Sequence, residues 1–162
     1  MASKRWIANA SPLILLGKTD NLDLLGALAD IVAVPQAVVN EIGAKSDGTS
    51  ILQLLNRNPP FSIVNDEVVS PEILSWDLGA GETQVIANAQ RYGADRVVID
   101  DMEARHCARS MGLQVIGTLG VVGRAKSAGK IQRAAPVIER LRENGMYVSN
   151  ELVQLILKEV GE

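Results

Sequence analysis

The sequence Arg96-Val97-Val98-Ile99-Asp100-Asp101 is the stretch that decides the fold. Its run of β-branched apolar residues is typical of a short strand that is buried on both faces of a parallel sheet. Residues 102–111 then have the pattern of a helix, which Gly112 ends. Ligands of an open parallel sheet bind outside the carboxyl ends of the strands, so the two aspartates follow the strand where a site is expected.

The adjacent aspartates have two explanations at this point. Neighbouring carboxylates at one strand end repel each other, and a bound cation would relieve that repulsion. Alternatively, Asp101 caps the following helix and Asp100 is simply solvated. Further acidic residues at the same place in the fold are needed to distinguish the two.

The composition indicates one ordinary globular domain. The chain has 162 residues, of which 47% are hydrophobic and 22% charged, enough for a sizeable core. We expect a single domain over residues 1–162, with C-terminal helices from about residue 134. The 3% aromatic content argues against a surface on which successive bases stack.

The location of the protein is predicted from its cysteine content and its apolar segments. Cys107 is the only cysteine, which excludes an internal disulfide framework and fits a reducing compartment. The first residues do not form a secretory signal, and no apolar run is long enough to cross a membrane. We therefore expect a cytoplasmic protein that is not associated with a membrane.

The charges are unevenly distributed, although the net charge is only −3. Eleven of the 16 Lys and Arg residues follow residue 81. Several of them could form a positive surface beside an acidic centre, whereas scattered solubilising charges are the simpler explanation for any one of them. These residues are Arg91, Arg105, Arg109, Arg124, Lys126, Lys130 and Arg133.

Alternating strand and helix patterns predict an α/β fold with a parallel sheet that is covered on both faces. Strands are predicted at residues 6–10, 31–34, 61–64, 97–99 and 113–116. Their carboxyl ends share one edge of the sheet, which brings Asn9, Asp100 and Thr118 together. Glu82, in the first turn of a predicted helix, is able to point at the same edge. In the C-terminal helix, an apolar stripe is expected to pack in the core: Leu152, Leu155, Ile156 and Val160.

These side chains suit a hard divalent cation such as Mg²⁺, which prefers oxygen ligands and keeps several waters. Carboxylates would come from Glu82, Asp100 and Asp101, with Glu41 from a facing helix. Asn9 offers an amide oxygen, and Thr118 a hydroxyl that orients a water. A metal held in this way lowers the pKa of a bound water and neutralises phosphate charge, which indicates cleavage of phosphodiesters.

Each candidate also has a structural explanation. An acid at a helix N-terminus, such as Glu82, is favoured by the helix dipole alone. Asn9 could bond to backbone at a strand end, and Thr118 could be a simple N-cap. Glu41 gains no such benefit near the end of its helix, which slightly favours a functional role.

Five short motifs carry a resemblance to a known family, which extends from Ile7 to about Ile131. They are Asn9-Ala10-Ser11-Pro12-Leu13-Ile14, Pro35 and Val39 with Glu41-Ile42, Gly79-Ala80-Gly81-Glu82, Ile99-Asp100-Asp101 with Ala104-Arg105, and Gly117-Thr118-Leu119-Gly120. In this order and spacing the chain resembles a PIN-domain ribonuclease, close to the VapC-like toxins of toxin–antitoxin pairs. The resemblance implies a three-layer α/β/α fold with a central parallel sheet of about five strands. It also implies RNA cleavage that depends on Mg²⁺ or Mn²⁺, a homodimer, and a small antitoxin protein as partner.

The resemblance assigns site residues by position. Glu41, Glu82, Asp100 and Asp101 match the acidic cluster of the family, and either Asp100 or Asp101 is the inner metal ligand. Asn9 stands where the family usually has its first acid, although a related subgroup also has Asn there. Two alternatives remain. One is a weak or inactive PIN-fold module that binds another protein, and the other, ranked last, is a phosphoryl-accepting receiver domain.

Overall fold

The computed structural model describes residues 3–57 and 59–162, so Asn58 and the first two residues lie outside it. The strands and helices alternate along the chain. In order, they are β1 Arg5–Ala8, α1 Ala10–Lys18, α2 Asp23–Leu28, β2 Ile31–Pro35, α3 Gln36–Gly43, α4 Gly48–Arg57, β3 Phe61–Val64, α5 Pro71–Leu74, α6 Ala80–Tyr92, β4 Arg96–Val98, α7 Met102–Ser110, β5 Val115–Ile116, α8 Thr118–Ser127, α9 Ala135–Glu143 and α10 Asn150–Glu159.

The five strands form one parallel sheet in the order β3-β2-β1-β4-β5. Helix α3 packs against α6, α2 packs against α8, and these helices flank the sheet. The predicted three-layer α/β/α fold with five parallel strands is therefore confirmed. Because β1 lies in the middle and the chain reaches β4 on its other side, the end of β1 is the point where the strand order reverses, which is where such sheets bind ligands.

The strands are buried because their side chains are apolar on both faces. Ile7, Val32, Val34, Val97 and Val98 have no exposed surface. Burial of each such side chain contributes about 1.5–3 kcal/mol relative to its exposed state. The sheet is thus a rigid base for the residues that follow each strand.

The boundaries of some elements differ from those predicted. β1 ends at Ala8 because Asn9, with extended backbone, already caps α1. β5 contains only Val115 and Ile116, and not all of 113–116.

The C-terminal helices α9 and α10 pack onto α8. In α10 the inward residue is Val153, which is 5% exposed, whereas Leu152 and Leu155 are 44% and 53% exposed. The core-packing prediction was therefore wrong for these two leucines, while Ile156 and Val160 do pack against the core. Within the described residues, no helix combines the length and hydropathy that a bilayer crossing requires.

Candidate active site

The carboxyl ends of β1, β4 and β5 meet at one edge of the sheet. The Asn9 N–H donates to the carbonyl oxygen of Val98 at 3.0 Å, and the Ile99 N–H donates to that of Ile116 at 3.0 Å. These bonds continue the ladder one residue beyond the strands. They place Asn9, Asp100 and Thr118 side by side, as the sequence predicts.

Asp100 is held by Thr118. The Thr118 hydroxyl donates to Asp100 Oδ2 at 2.6 Å, and the Thr118 N–H donates to Asp100 Oδ1 at 2.7 Å. The N-cap of α8 is Gly117, so the interpretation of Thr118 as an N-cap was wrong. Its fully buried hydroxyl orients a carboxylate instead.

Asp101 has a different environment from Asp100. Its Oδ2 accepts from the Ala104 N–H at 2.9 Å, which makes Asp101 the N-cap of α7. The residue is exposed, whereas Asp100 is half-buried. The structure thus places Asp100 inward and gives Asp101 the capping role, although both line the same cleft.

Asn9 connects the first strand to Glu82. Its Nδ2 donates to Glu82 Oε1 at 3.2 Å. Asn9 is 2% exposed, and its Oδ1 is buried without a hydrogen-bond donor among the described residues. A buried acceptor of this kind normally has a partner, so Asn9 Oδ1 is a ready ligand for a cation.

Glu41 approaches the same amide oxygen from α3. Glu41 Oε2 and Asn9 Oδ1 lie 2.8 and 2.9 Å from the position that a Cβ on Gly81 would occupy. Burial, and then the nearby charge of Glu82, raises the pKa of the Glu41 carboxyl, against the opposing charge of Lys45. Glycine at position 81 therefore leaves room for a close, mutually repelling group of oxygens.

The oxygens at this edge fit a hard divalent cation. Within the part of the chain that the structure describes, no three His, Cys, Asp or Glu side chains are arranged to hold a metal. The atom without a hydrogen-bond partner is instead the amide oxygen Oδ1 of Asn9, which lies close to Glu41. The nitrogen of the same amide bonds to Glu82, and Asp100 lines the same cleft. Mg²⁺ binds through one or two carboxylates and keeps several waters, which suits this sparse set of ligands.

Arg105, which the sequence analysis placed only in a possible positive surface and in the Asp100 motif, lies beside Asp100 in the structure. Its Nη1 and Asp100 Oδ1 each lie 2.9 Å from the position of a Cβ on Gly117, and its buried Nε has no acceptor among the described residues. Burial lowers its pKa, and Arg109 adds to this, whereas Asp100 opposes it. The i, i+4 spacing from Asp101 to Arg105 on one helix was the available signal.

The acidic residues open into a cleft of about 860 Å³. Asn9, Glu82 and Asp100 line its polar side. The other side consists of apolar residues of the loop before α10 and of α10 itself: Met146, Tyr147, Val148, Leu152 and Ile156. Tyr147 is 101% exposed, so this wall is open to a ligand.

One comparison with known proteins is informative. A family model described as PIN domain matches residues 5–162, which is nearly the whole chain and includes every residue of the cleft named above. No curated protein matches the chain.

Proposed function

Because the chain belongs to the PIN-domain family, whose members are generally nucleases, we propose that it is a metal-dependent endoribonuclease. The observation that carries the proposal is the convergence of Asn9, Glu41, Glu82 and Asp100 at one edge of the sheet. Adjacent acids with one unpartnered amide oxygen are the arrangement that a hard cation stabilises. The expected cation is Mg²⁺ or Mn²⁺.

The metal would be held by Asp100, Glu82 and the Asn9 amide oxygen. Such an ion lowers the pKa of a bound water and neutralises charge on a phosphate. Thr118 keeps Asp100 in one orientation through two hydrogen bonds, and Asn9 orients Glu82. Asp101 caps α7, so a ligand role for it would require it to leave the Ala104 N–H.

Glu41 is the proposed proton acceptor. Its raised pKa brings it closer to neutral pH, where a general base is more effective. The Oε2 atom and the Asn9 amide oxygen lie 2.8 and 2.9 Å from the position of a Cβ on Gly81, which places Glu41 close to the proposed metal ligand Asn9. Arg105, whose buried Nε has no acceptor among the described residues, lies beside Asp100 and is placed to attract the phosphate.

The test is cleavage of labelled single-stranded RNA with Mn²⁺, compared with EDTA. Asp100→Asn and Glu82→Gln should abolish cutting, whereas Glu143→Gln, an exposed acid at the end of α9, should cut normally. Cleavage that persists in EDTA and in both site variants would refute the assignment. Saturable Mn²⁺ binding, measured by calorimetry, should disappear in the same two variants.

We further propose the role of a cytoplasmic VapC-like toxin that forms a homodimer and is inhibited by a small antitoxin protein. The apolar wall of the cleft supports this role, because exposed Tyr147 and Leu152 would be covered by a partner chain. Expression of the chain should arrest growth in a bacterial host, and Asp100→Asn should not. Growth arrest by both versions equally would contradict the toxin role.

One observation favours a second function. Asn9 replaces a carboxylate, and no three acids within the described residues form a metal centre. A catalytically weak PIN-fold module that binds another protein would have these properties. This second function predicts that the chain binds no Mn²⁺ and cleaves no RNA, which distinguishes it from the nuclease.

A further inference from the structure

We propose that the sheet edge opposite the acidic cleft carries a second binding site, which holds backbone phosphates of a nucleic-acid strand. Lys4, Arg96, Arg124 and Lys130 line one cavity there, of about 710 Å³. Lys4 directly precedes β1, and Arg96 is the first residue of the adjacent strand β4. We call these four residues the basic cluster.

The side chains of the basic cluster are unpaired. Over residues 3–57 and 59–162, none of the four makes an ion pair or a side-chain hydrogen bond. The two nearby carboxylates are engaged with backbone, Asp95 with the Arg5 N–H and Asp30 with the Lys4 N–H. Asp95 also lines the cavity and keeps its negative charge, so four cations face one carboxylate there and the cavity has an excess of positive charge.

The cations are held together in spite of their mutual repulsion. The pKa of Arg96 is lowered, first by burial and then by the charge of Arg124, with Asp95 opposing. Arg124 alone is explained by its place in the last turn of α8, where the helix dipole favours a cation. Lys4 and Arg96 do not belong to α8, so the dipole of α8 does not explain their positions. An anion would relieve the repulsion.

Three other cations in the later half of the chain do have side-chain partners. Arg91 lies 3.5 Å from Glu67, and Arg133 lies 3.8 Å from Glu162. Lys126 donates to the carbonyl oxygen of Gln132. Scattered solubilising charge accounts for such residues, but not for four unpaired cations in one cavity.

Helix α8 connects the two sites. Thr118, the first residue of α8, contacts Asp100, and Arg124 lies in the last turn of α8. Thr118 and Arg124 are six residues apart, which is about 9 Å along the helix axis, and a stacked strand has one phosphate per about 3.4 Å. A strand that passes around the surface from the acidic cleft to the basic cluster therefore needs at least about three nucleotides between the two sites. This step rests on the proposed function, because it takes nucleic acid as the substrate.

The cavity suits a phosphate better than a base. Its aromatic residue, Trp6, is 2% exposed and offers no face for stacking. The walls of the cavity provide positive charge, and Lys and Arg contact phosphates independently of the base sequence.

The experiment measures the binding of a labelled 15-nucleotide RNA by fluorescence anisotropy in EDTA, across a KCl series. Removing one phosphate contact should reduce the slope of log K against log salt by about 0.7 and weaken binding about eightfold at 50 mM salt. We expect this for Arg96→Gln and for Arg124→Gln, with the double variant lower still. Arg57→Gln, an exposed arginine at the end of α4, should bind like the wild type.

A trinucleotide provides the length control, because it is too short to occupy both sites at once: it should bind more weakly than the 15-mer and should still lose affinity in the cluster variants. If Arg96→Gln fails to fold, Arg124→Gln and Lys130→Gln at exposed positions carry the test. Unchanged salt slopes for the 15-mer in the cluster variants would overturn the proposal, and so would an equal loss of RNA affinity in Arg57→Gln. Binding of phosphatidylglycerol vesicles that depends on the cluster, without binding of RNA, would also overturn it. Cluster-dependent binding without cleavage in Mn²⁺ would refute the nuclease and leave this site standing.

Discussion

Thr118 contacts both carboxylate oxygens of Asp100, with its hydroxyl at 2.6 Å from Oδ2 and its backbone nitrogen at 2.7 Å from Oδ1. The two residues are 18 positions apart in sequence and come together because β4 and β5 are neighbours. The acid that follows β4 is therefore oriented by the first residue of α8. This relationship can be tested separately from any activity.

Thr118→Val should keep the backbone hydrogen bond and remove the hydroxyl. Because the position is fully buried and the acceptor is a carboxylate, the free energy of unfolding should fall by about 1.5–3 kcal/mol. Urea denaturation measures it. Thr118→Ser, which retains the hydroxyl, should lose much less, and equal losses in the two variants would contradict the role of the hydrogen bond.

Gly81→Ala should separate the stability of the fold from the integrity of the site. An exposed helical glycine replaced by alanine would gain about 1 kcal/mol, but here the new Cβ would lie 2.8 Å from Glu41 Oε2 and 2.9 Å from Asn9 Oδ1. We expect Mn²⁺ affinity, measured by calorimetry, to fall. Gly123→Ala in α8, whose Cβ would meet Ile156 at 3.4 Å, is the control that should bind normally.

Asn9→Asp should have opposite effects with and without metal. The new carboxylate would replace the amide that donates to Glu82 Oε1 at 3.2 Å, so two acids would face each other. The melting temperature at pH 7 should fall in EDTA and rise with added Mn²⁺ by more than that of the wild type. A variant insensitive to Mn²⁺ would show that position 9 is not a ligand.

Glu41→Gln should stabilise the metal-free protein at neutral pH. The pKa of Glu41 is raised in the folded state, so its ionisation opposes folding as pH rises above the ordinary glutamate pKa of 4.5. The melting temperature of the variant should exceed that of the wild type at pH 7, and the difference should vanish below pH 4.5. A difference of the same size at both pH values would exclude the titration of Glu41 as its cause.

Glu162→Gln should show the opposite pH dependence. The backbone N–H of Ala134 at 2.5 Å, and that of Ala135, lower the pKa of Glu162. A depressed pKa contributes stability that is present above the ordinary glutamate pKa of 4.5 and lost as pH falls through the folded pKa. Thermal melts should show the variant less stable than the wild type at pH 7, and this gap should close at pH 3. Glu159→Gln, an exposed acid at the end of α10, is the control.

The fold was predictable because local pattern and tertiary environment agree. β-branched runs alternate with helical periods, and both β1 and β4 are buried on both faces. The strand ends were less predictable, since β5 has only two residues and its limits depend on pairing with β4. The burial of α10 was misjudged because a stripe of leucines does not reveal which part of it faces a cleft.

The proximity of these polar side chains was predictable from the sequence, but their individual environments were not. Glu82 and Asp100 follow from their places after a strand or in a first helical turn. The choice between Asp100 and Asp101 depends on which side chain accepts from the Ala104 N–H, and adjacent acids look alike in sequence. Tyr147 reaches the cleft only through the path of the chain before α10, which no local pattern encodes.

The order of the strands has one more consequence. Residues 65–70 carry no helix or strand, and Val68 is 95% exposed. A proteolytic cut there would leave Asn9 and Glu41 on one fragment and Glu82 and Asp100 on the other, joined along the seam between β1 and β4. Neither fragment alone would contain the complete set of proposed metal ligands. The recovery of Mn²⁺ binding when the two fragments are mixed would therefore show that they have reassembled.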